Sequence, residues 1–231
     1  MNYKINNDYI LINDKFIKIN TKKNLKAKKI IIKFNHYGTE INLTIPRFTS
    51  KREGLEFINM NIDWLSKEIK NFPSKVTFEA GKKIPILGEY YLIDYHDFKS
   101  VYMDDSTIYI NKDNIKNNNL KKWLIKKAKI YITDLTFKKA SELRVKVNKI
   151  SIRDPKTRWG SCGENGNVSF SWRLIFAPPA VIEYVVTHEV CHIIELNHSY
   201  NFWQLVSKSC PKYKASQSWL RDFGLKLHFY G

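Results

Sequence analysis

Apolar and polar residues alternate along the first twenty positions. Tyr9 and Leu11, then Phe16, Ile17 and Ile19, mark two short strands about an Asn13-Asp14 turn. The next apolar run, Lys29 to Phe34 with Ile30, Ile31 and Ile32 at its centre, reads as a strand; His36-Tyr37-Gly38 is its turn, and Glu40 to Ile45 returns until Pro46 stops it. The apolar period then lengthens from two to that of a helix. Ser50 stands at the cap of this helix with Glu53 at the capping-box position, and Leu55, Ile58, Ile62 and Leu65 form the apolar stripe, with Trp64 beside it. Strand character resumes over 76–110 in five short runs, Val76-Phe78, Ile84-Leu87, Tyr90-Ile93, Val101-Met103 and Thr107-Ile110, with turns predicted at Gly88, Asp94 and Asp104-Asp105.

Asn114 to Asn119 is polar and rich in asparagine, and it divides the chain into a β-rich module with one helix over 1–115 and a second domain over 116–231. The second domain opens on a long amphipathic helix. Leu120, Leu124, Ala128, Tyr131 and Leu135 repeat on one side, and Lys121, Lys122, Lys126, Lys129 and Lys138 form a solvated basic face on the other. Val145 to Arg153 alternates as a strand. Arg158 to Cys162 and Val168 to Trp172 flank a loop containing Asn165-Gly166, which reads as a hairpin. Pro178-Pro179 suits a first helical turn, where a missing N–H costs nothing. That helix is expected to run to about Glu195, with Val181 and Val185 on the face of His188 and His192, and Ile182, Val186 and Ile193 turned to the core. Asn197 is the residue expected to end it in the left-handed conformation. Phe202, Trp203 and Val206 begin a shorter helix, Pro211 interrupts, and Trp219, Leu220 and Phe223 form the last apolar face.

Composition narrows the class without naming a function. A chain of 231 residues with 43% hydrophobic side chains can bury a sizeable core. Three widely spaced cysteines, Cys162, Cys191 and Cys210, suggest no disulfide framework and a reducing compartment. Met1 to Asn20 lacks the apolar stretch of a signal peptide, and no run approaches a membrane span, so a soluble cytoplasmic protein is expected. The net charge is +17, with 20 basic and 14 acidic side chains before residue 120 and 19 basic and 8 acidic from there on. Such a field attracts polyanions, nucleic acid among them, although lysines are also the ordinary solvated surface of a Lys-rich chain.

The chemistry concentrates near the C-terminus. His188-Glu189-Val190-Cys191-His192 is followed by His198, so three of six histidines fall within eleven residues. Positions four apart share one helix face, which lets His188 and His192 aim imidazoles at one ion, while Glu189 projects to the side where a carboxylate can take a proton from metal-bound water. His198 lies far enough on for the chain to turn back. Three protein ligands and a water describe a catalytic Zn2+. The third histidine has metzincin spacing, but Glu195 occupies the glycine position and Met1, Met60 and Met103 cannot supply a downstream Met-turn. In Arg158-Trp159-Gly160-Ser161-Cys162, glycine beside tryptophan indicates close backbone approach. Arg158 or Ser161 there holds a group next to the metal or the substrate, or else the segment is structural, with Trp159 packed under a helix. Cys162 is a ligand only if it approaches the metal, Cys191 belongs to the core, and Tyr213 is either an oxyanion donor or a packing residue.

These motifs carry a family resemblance. Arg158-Trp159-Gly160-Ser161-Cys162, Ser171-Trp172-Arg173-Leu174, Ala177-Pro178, the run Tyr184 to His192, Asn197-His198-Ser199 and Phe202-Trp203 resemble the YgjP-type metal-dependent hydrolases, relatives of the SprT-like and WLM minimal zinc peptidases. The resemblance is close over about 145–225 and looser in the front half. It implies an α+β fold with a zincin-like (minigluzincin) C-terminal domain, its active-site helix on a small twisted sheet. It implies His188, His192 and His198 as zinc ligands and Glu189 as the catalytic carboxylate, with a protein or peptide as substrate. SprT-like relatives cleave DNA-attached proteins, a role the basic charge fits. The mechanism expected is amide hydrolysis, with an extended substrate pairing along a strand edge such as Val168 to Trp172. A non-catalytic zinc-stabilised nucleic-acid-binding module and an amidase of a small non-peptide substrate are the two rival readings; the oligomeric state is left open.

Overall fold

Asn13 and Asp14 both adopt left-handed backbone, φ 47° and 60°, and close the hairpin that the first alternation predicts. The computed structural model describes residues 5 and 6 (backbone only), 8–97, 99–113 and 118–231. By contacts the chain divides into two compact units, Met1–Ser74 and Lys75–Gly231.

The first unit is a five-stranded sheet with two helices. Strands β1 (Ile5–Asn6), β2 (Tyr9–Ile12), β3 (Lys15–Lys23), β4 (Ile31–Phe34) and β5 (Glu40–Ile45) lie in the order β1-β2-β3-β5-β4, antiparallel except for the parallel pair β3 and β5. Its core takes Ile10 and Ile12, leaving Tyr9 exposed and Leu11 only half-buried. With four apolar residues in a row, Tyr9 to Ile12, the pattern alone does not say which phase faces inward. Phe16 likewise points to solvent, and Ile17 and Ile19 point in. Ser50 caps helix α1 (Lys51–Met60) through the full capping box with Glu53. The single helix expected here is two: Asn61 turns its side-chain amide back onto the Phe57 carbonyl at 2.8 Å, and α2 (Ile62–Lys70) starts anew.

The second unit contains the strand-rich stretch as well as the motifs. Strands β6 (Lys83–Ile86), β7 (Glu89–Tyr95), β8 (Tyr102–Met103) and β9 (Thr107–Ile110) form a sheet of order β6-β7-β9-β8. Val76 makes an isolated bridge to Tyr230, Val76-Phe78 forms no strand, and Asp94 lies inside β7, not in a turn. The boundary expected at 115/116 falls within this unit. The reason is packing: Ile84, Ile86, Ile93, Ile108 and Ile110 share one core with Leu120, Leu124, Ala128 and Ile132 of α3 (Asn119–Glu142), whatever the polarity of the asparagine run between them. Of that run, 114–117 lie outside the described residues.

Helix α3 buries Ile132 where Tyr131 was expected, and it carries one lysine on its buried side. Lys139 reaches Glu183 at 2.6 Å, Glu142 at 3.0 Å and the Ser209 carbonyl at 2.9 Å. A three-stranded sheet follows, β10 (Lys149–Arg153), β11 (Gly160–Cys162) and β12 (Asn167–Ser171), with β12 in the middle, parallel to β10 and antiparallel to β11. A 3-10 turn (Trp172–Phe176) leads into α4 (Pro179–Cys191), then α5 (Tyr200–Ser209) and α6 (Tyr213–Leu227). Separate small sheets and packed helices make this a mixed α+β architecture. Among the described residues no helix is long and apolar enough to cross a membrane.

Buried Arg173 ties the 3-10 turn to both sides of the motif region. Its guanidinium grips Asp154 at 2.7 and 3.3 Å, and it also donates to the carbonyls of Tyr230 (2.8 Å), His228 (3.3 Å) and Leu227 (3.4 Å). Burial raises the Asp154 carboxyl, but the Arg173 hydrogen bonds and charge outweigh it and the net shift is downward. A carboxyl lowered on folding stabilises above its unfolded pKa and loses that contribution as pH falls through the folded one. Arg173→Met leaves three carbonyls and a carboxylate without their donor. It is expected to cost about 2–4 kcal/mol, read as a lower urea midpoint at pH 7, with the deficit shrinking below pH 4.

Candidate metal centre

Helix α4 presents His188 and Glu189 on successive positions, and it ends four residues earlier than the apolar pattern suggests. Cys191 is its last residue and His192 its C-cap, in right-handed geometry with φ −65°. Asn197 is not among the residues with positive φ, so it does not end the helix. Tight turns finish the segment instead, with the N–H groups of Ile194 and Glu195 both donating to the Cys191 carbonyl at 3.0 Å. This early ending has a chemical consequence. It brings the Glu195 carbonyl to 3.0 Å from His192 Nδ1. A carbonyl only accepts, so Nδ1 carries the proton and Nε2 is left with its lone pair, the tautomer a metal ligand needs.

The three imidazoles converge through Nε2. His188 Nε2 lies 3.2 Å from that of His192 and 3.0 Å from that of His198, and all the candidate ligand atoms fall within 4.8 Å of one another. A tetrahedral ion bonded to nitrogen at about 2.0–2.1 Å separates its ligands by about 3.3 Å, so the donor set fits such an ion with little adjustment. Phe202 forms the floor. Its ring stacks on His192 at 4.4 Å and meets the rings of His188 and His198 edge-on, each at 4.9 Å. Ser199, the cap of α5, accepts from the Phe202 N–H and so fixes the start of that helix directly after His198. Trp203 stacks on His198 at 5.8 Å and on Tyr213 at 5.4 Å. Tyr213 therefore stands in an aromatic wall with Trp203 and Tyr184, and Tyr184 also packs edge-on to His188 at 5.8 Å.

Glu189 is 6% exposed and lies against Gly160 of β11. A Cβ placed on Gly160 would meet Glu189 Cγ at 2.5 Å and its carboxyl atoms Oε1 and Cδ at 2.6 and 2.8 Å, so the end of the Glu189 side chain occupies the space that the absent side chain leaves. Trp159 packs on Gly224 of α6 and on the His228 ring at 4.7 Å, the packing role foreseen for it. Arg158, Trp159, Gly160, Tyr184, Val185, His188, Glu189 and Leu220 line one open cavity of about 250 Å3. Arg158 thus lies beside the cluster. Ser161 does not line this cavity; it pairs with Ser169 in the sheet. Cys162 is outside the histidine cluster, and burial together with the Glu189 charge pushes its thiol up to about 11, which disfavours the thiolate. Cys191 is fully buried, as expected of a core residue. Sequence spacing gave no signal for the Gly160–Glu189 approach or the Glu195 carbonyl, and Tyr184 was open to notice only as the residue one turn before His188.

Burial sets the protonation of the site. It pushes Glu189 up to about 7, against the opposing pull of Arg158. Burial, reinforced by the charges of His192 and His198, pushes His188 down to about 4, so this imidazole stays neutral and available to a cation in mild acid. In the metal-free chain the two shifts give opposite slopes. The Glu189 shift makes stability fall as pH rises from its unfolded value towards 7, and the His188 shift makes stability rise from about pH 4 to about 6.5. Glu189→Gln removes only the first slope. The metal-free variant is therefore expected to gain on metal-free wild type by about 3 kcal/mol between pH 4.5 and 7, measured by urea unfolding. A difference independent of pH would contradict the buried carboxyl.

Searches against the curated proteins and against the solved structures gave no match. A family model does match, over residues 28–223, and it is described as YgjP-like, metallopeptidase domain. The match spans most of the chain, including β11, α4 and α5, so the histidine cluster and its neighbouring carboxylate belong to a chain that is a member of the YgjP-like metallopeptidase family.

Proposed function

We propose that the chain is a zinc-dependent peptidase in which His188, His192 and His198 hold the metal and Glu189 is the general base. The observation that carries this reading is the convergence of three Nε2 atoms beside a buried carboxyl that faces an open cavity. When bound, zinc supplies a Lewis acid that acidifies an attacking water and polarises the scissile carbonyl. Glu189 takes the proton from that water and returns it to the leaving amine, and a pKa raised towards 7 suits both transfers. His192, held by the Glu195 carbonyl, and His188, held against Phe202 and Tyr184, keep their donor nitrogens aimed without rearrangement.

The strand proposed for substrate pairing changes. Val168 to Ser171 belongs to β12, which is paired on both sides. Of the sheet's two edge strands, β10 and β11, the one that lies against Glu189 is β11. Trp159 accepts from Ser171 N–H and Gly163 donates to Asn167, both at 2.9 Å, so alternation turns the N–H and C=O groups of Gly160 and Cys162 outward. An extended peptide pairing there passes Glu189. Substrates attached to DNA are the further part of this reading, supported by exposed Lys122, Lys126, Lys129 and Lys138 on α3. Single-stranded DNA should then stimulate cleavage at low salt, and rates unaffected by DNA would remove that part.

The test of the main reading is a casein digestion by the purified full chain. One equivalent of zinc should bind, a chelator should abolish cleavage, and zinc added back at stoichiometry should restore it. One bound zinc with casein and a broad peptide library left intact would favour the binding-module alternative.

A further inference from the structure

The cavity beside Glu189 has a composition that selects a ligand. Val185 and Tyr184 of α4, Leu220 of α6 and Trp159 give it apolar walls, and its volume of about 250 Å3 holds one large side chain. It has a single cationic lining residue, Arg158, which is exposed at the rim. Arg158 forms no ion pair or hydrogen bond among the described residues, although Glu189 lines the same cavity. A guanidinium at the rim of an apolar pocket, acting on Glu189 through its charge but bonded to no group among the described residues, has its donors open to a carboxylate from outside.

We propose that this cavity is a specificity pocket for a large apolar or aromatic substrate side chain flanked directly by a carboxylate, which Arg158 binds. The inference rests on the peptidase reading and adds the substrate class. The carboxylate has two possible sources: the free C-terminus of a peptide ending in the apolar residue, or an acidic side chain next to it. The first makes the enzyme a trimmer of chain ends, the second a cutter beside acidic residues.

Binding to the full, metal-free chain tests this without turnover, and it denies the carboxylate any metal to bind. The probes are N-acetyl-phenylalanine against its amide, N-acetyl-Phe-Glu-amide against N-acetyl-Phe-Gln-amide, and N-acetyl-alanine as the control for the apolar walls. In at least one pair the carboxylate probe should bind about tenfold tighter, and that pair identifies the source. Phenylalanine should outbind alanine. Arg158→Met, at an exposed position with no internal bond to lose, should keep the wild-type melting temperature and erase the discrimination, and Arg158→Glu should reverse it. Equal binding within both pairs, discrimination that survives Arg158→Met, or alanine binding as well as phenylalanine would each overturn the proposal. A chain that digests casein without this discrimination refutes the pocket alone; one that discriminates but never hydrolyses refutes the peptidase reading alone.

Discussion

Replacing Glu189 with Gln is expected to lower kcat on casein or any cleaved peptide by a factor of about 10²–10⁴ while one metal ion per chain is retained. The two halves of this result come from different parts of the site. Glutamine keeps the shape of the side chain against Gly160, so α4 and the three Nε2 atoms need not move. It cannot accept a proton, so the attacking water must lose its proton to bulk solvent and the leaving amine must gain one unaided. Metal content measured beside activity separates this outcome from loss of the ion. His192→Ala, which removes a donor from the cluster, should lose metal and activity together. A Gln variant with wild-type kcat would show that Glu189 is a buried structural carboxyl and that proton transfer runs elsewhere.

The site was legible in the sequence to the extent that it is local. His188 and His192 share a helix face because the helical pitch puts them there, and the structure brings their Nε2 atoms to 3.2 Å. The Asn165-Gly166 loop, the Pro178-Pro179 helix start and the Ser50 capping box are likewise backbone chemistry within a few residues, and each forms as the pattern says. What was missed depends on residues far apart or on competition between near-equal options. Ile193 and Ile194 continue the apolar period of α4, so the pattern ran on to Glu195, whereas the chain turns after Cys191 and uses the Glu195 carbonyl to orient His192. Lys139 carries no mark in the sequence that sets it apart from the solvated lysines of α3, yet Glu183, 44 positions on in α4, pairs with it at 2.6 Å. The asparagine run looked like a boundary because it is polar, but isoleucines on β6, β7 and β9 belong to the same buried core as α3 on its other side. Gly160 was read as a close approach without an object, because nothing in the sequence says which side chain fills the space.

That object, the Glu189 carboxyl group, makes Gly160→Ala the second change with a large expected effect. The added methyl carbon would lie 2.5 Å from Glu189 Cγ, 2.6 Å from Oε1 and 2.8 Å from Cδ, inside van der Waals contact. Gly160 is not among the glycines with positive φ, so alanine fits the backbone and any loss comes from the overlap. One side must give way. Helix α4 is fixed by Val186, Val190 and Cys191, all fully buried, and β11 is held by β12, so the carboxylate is the part that swings. A displacement near 1 Å at a catalytic group costs about 10²-fold in rate, and kcat should fall by that order with metal content unchanged. Stability should drop by about 1–3 kcal/mol, the usual consequence of overpacking. Glu189→Gln fills the same space against β11 but accepts no proton, so displacing it costs no further proton transfer. The double variant Gly160→Ala, Glu189→Gln should therefore lose less activity than the product of the two single losses, a coupling that indirect damage to the fold does not generate. Full activity in Gly160→Ala, or strictly multiplicative losses in the double variant, would show that the carboxylate works from a position other than the one it holds against β11.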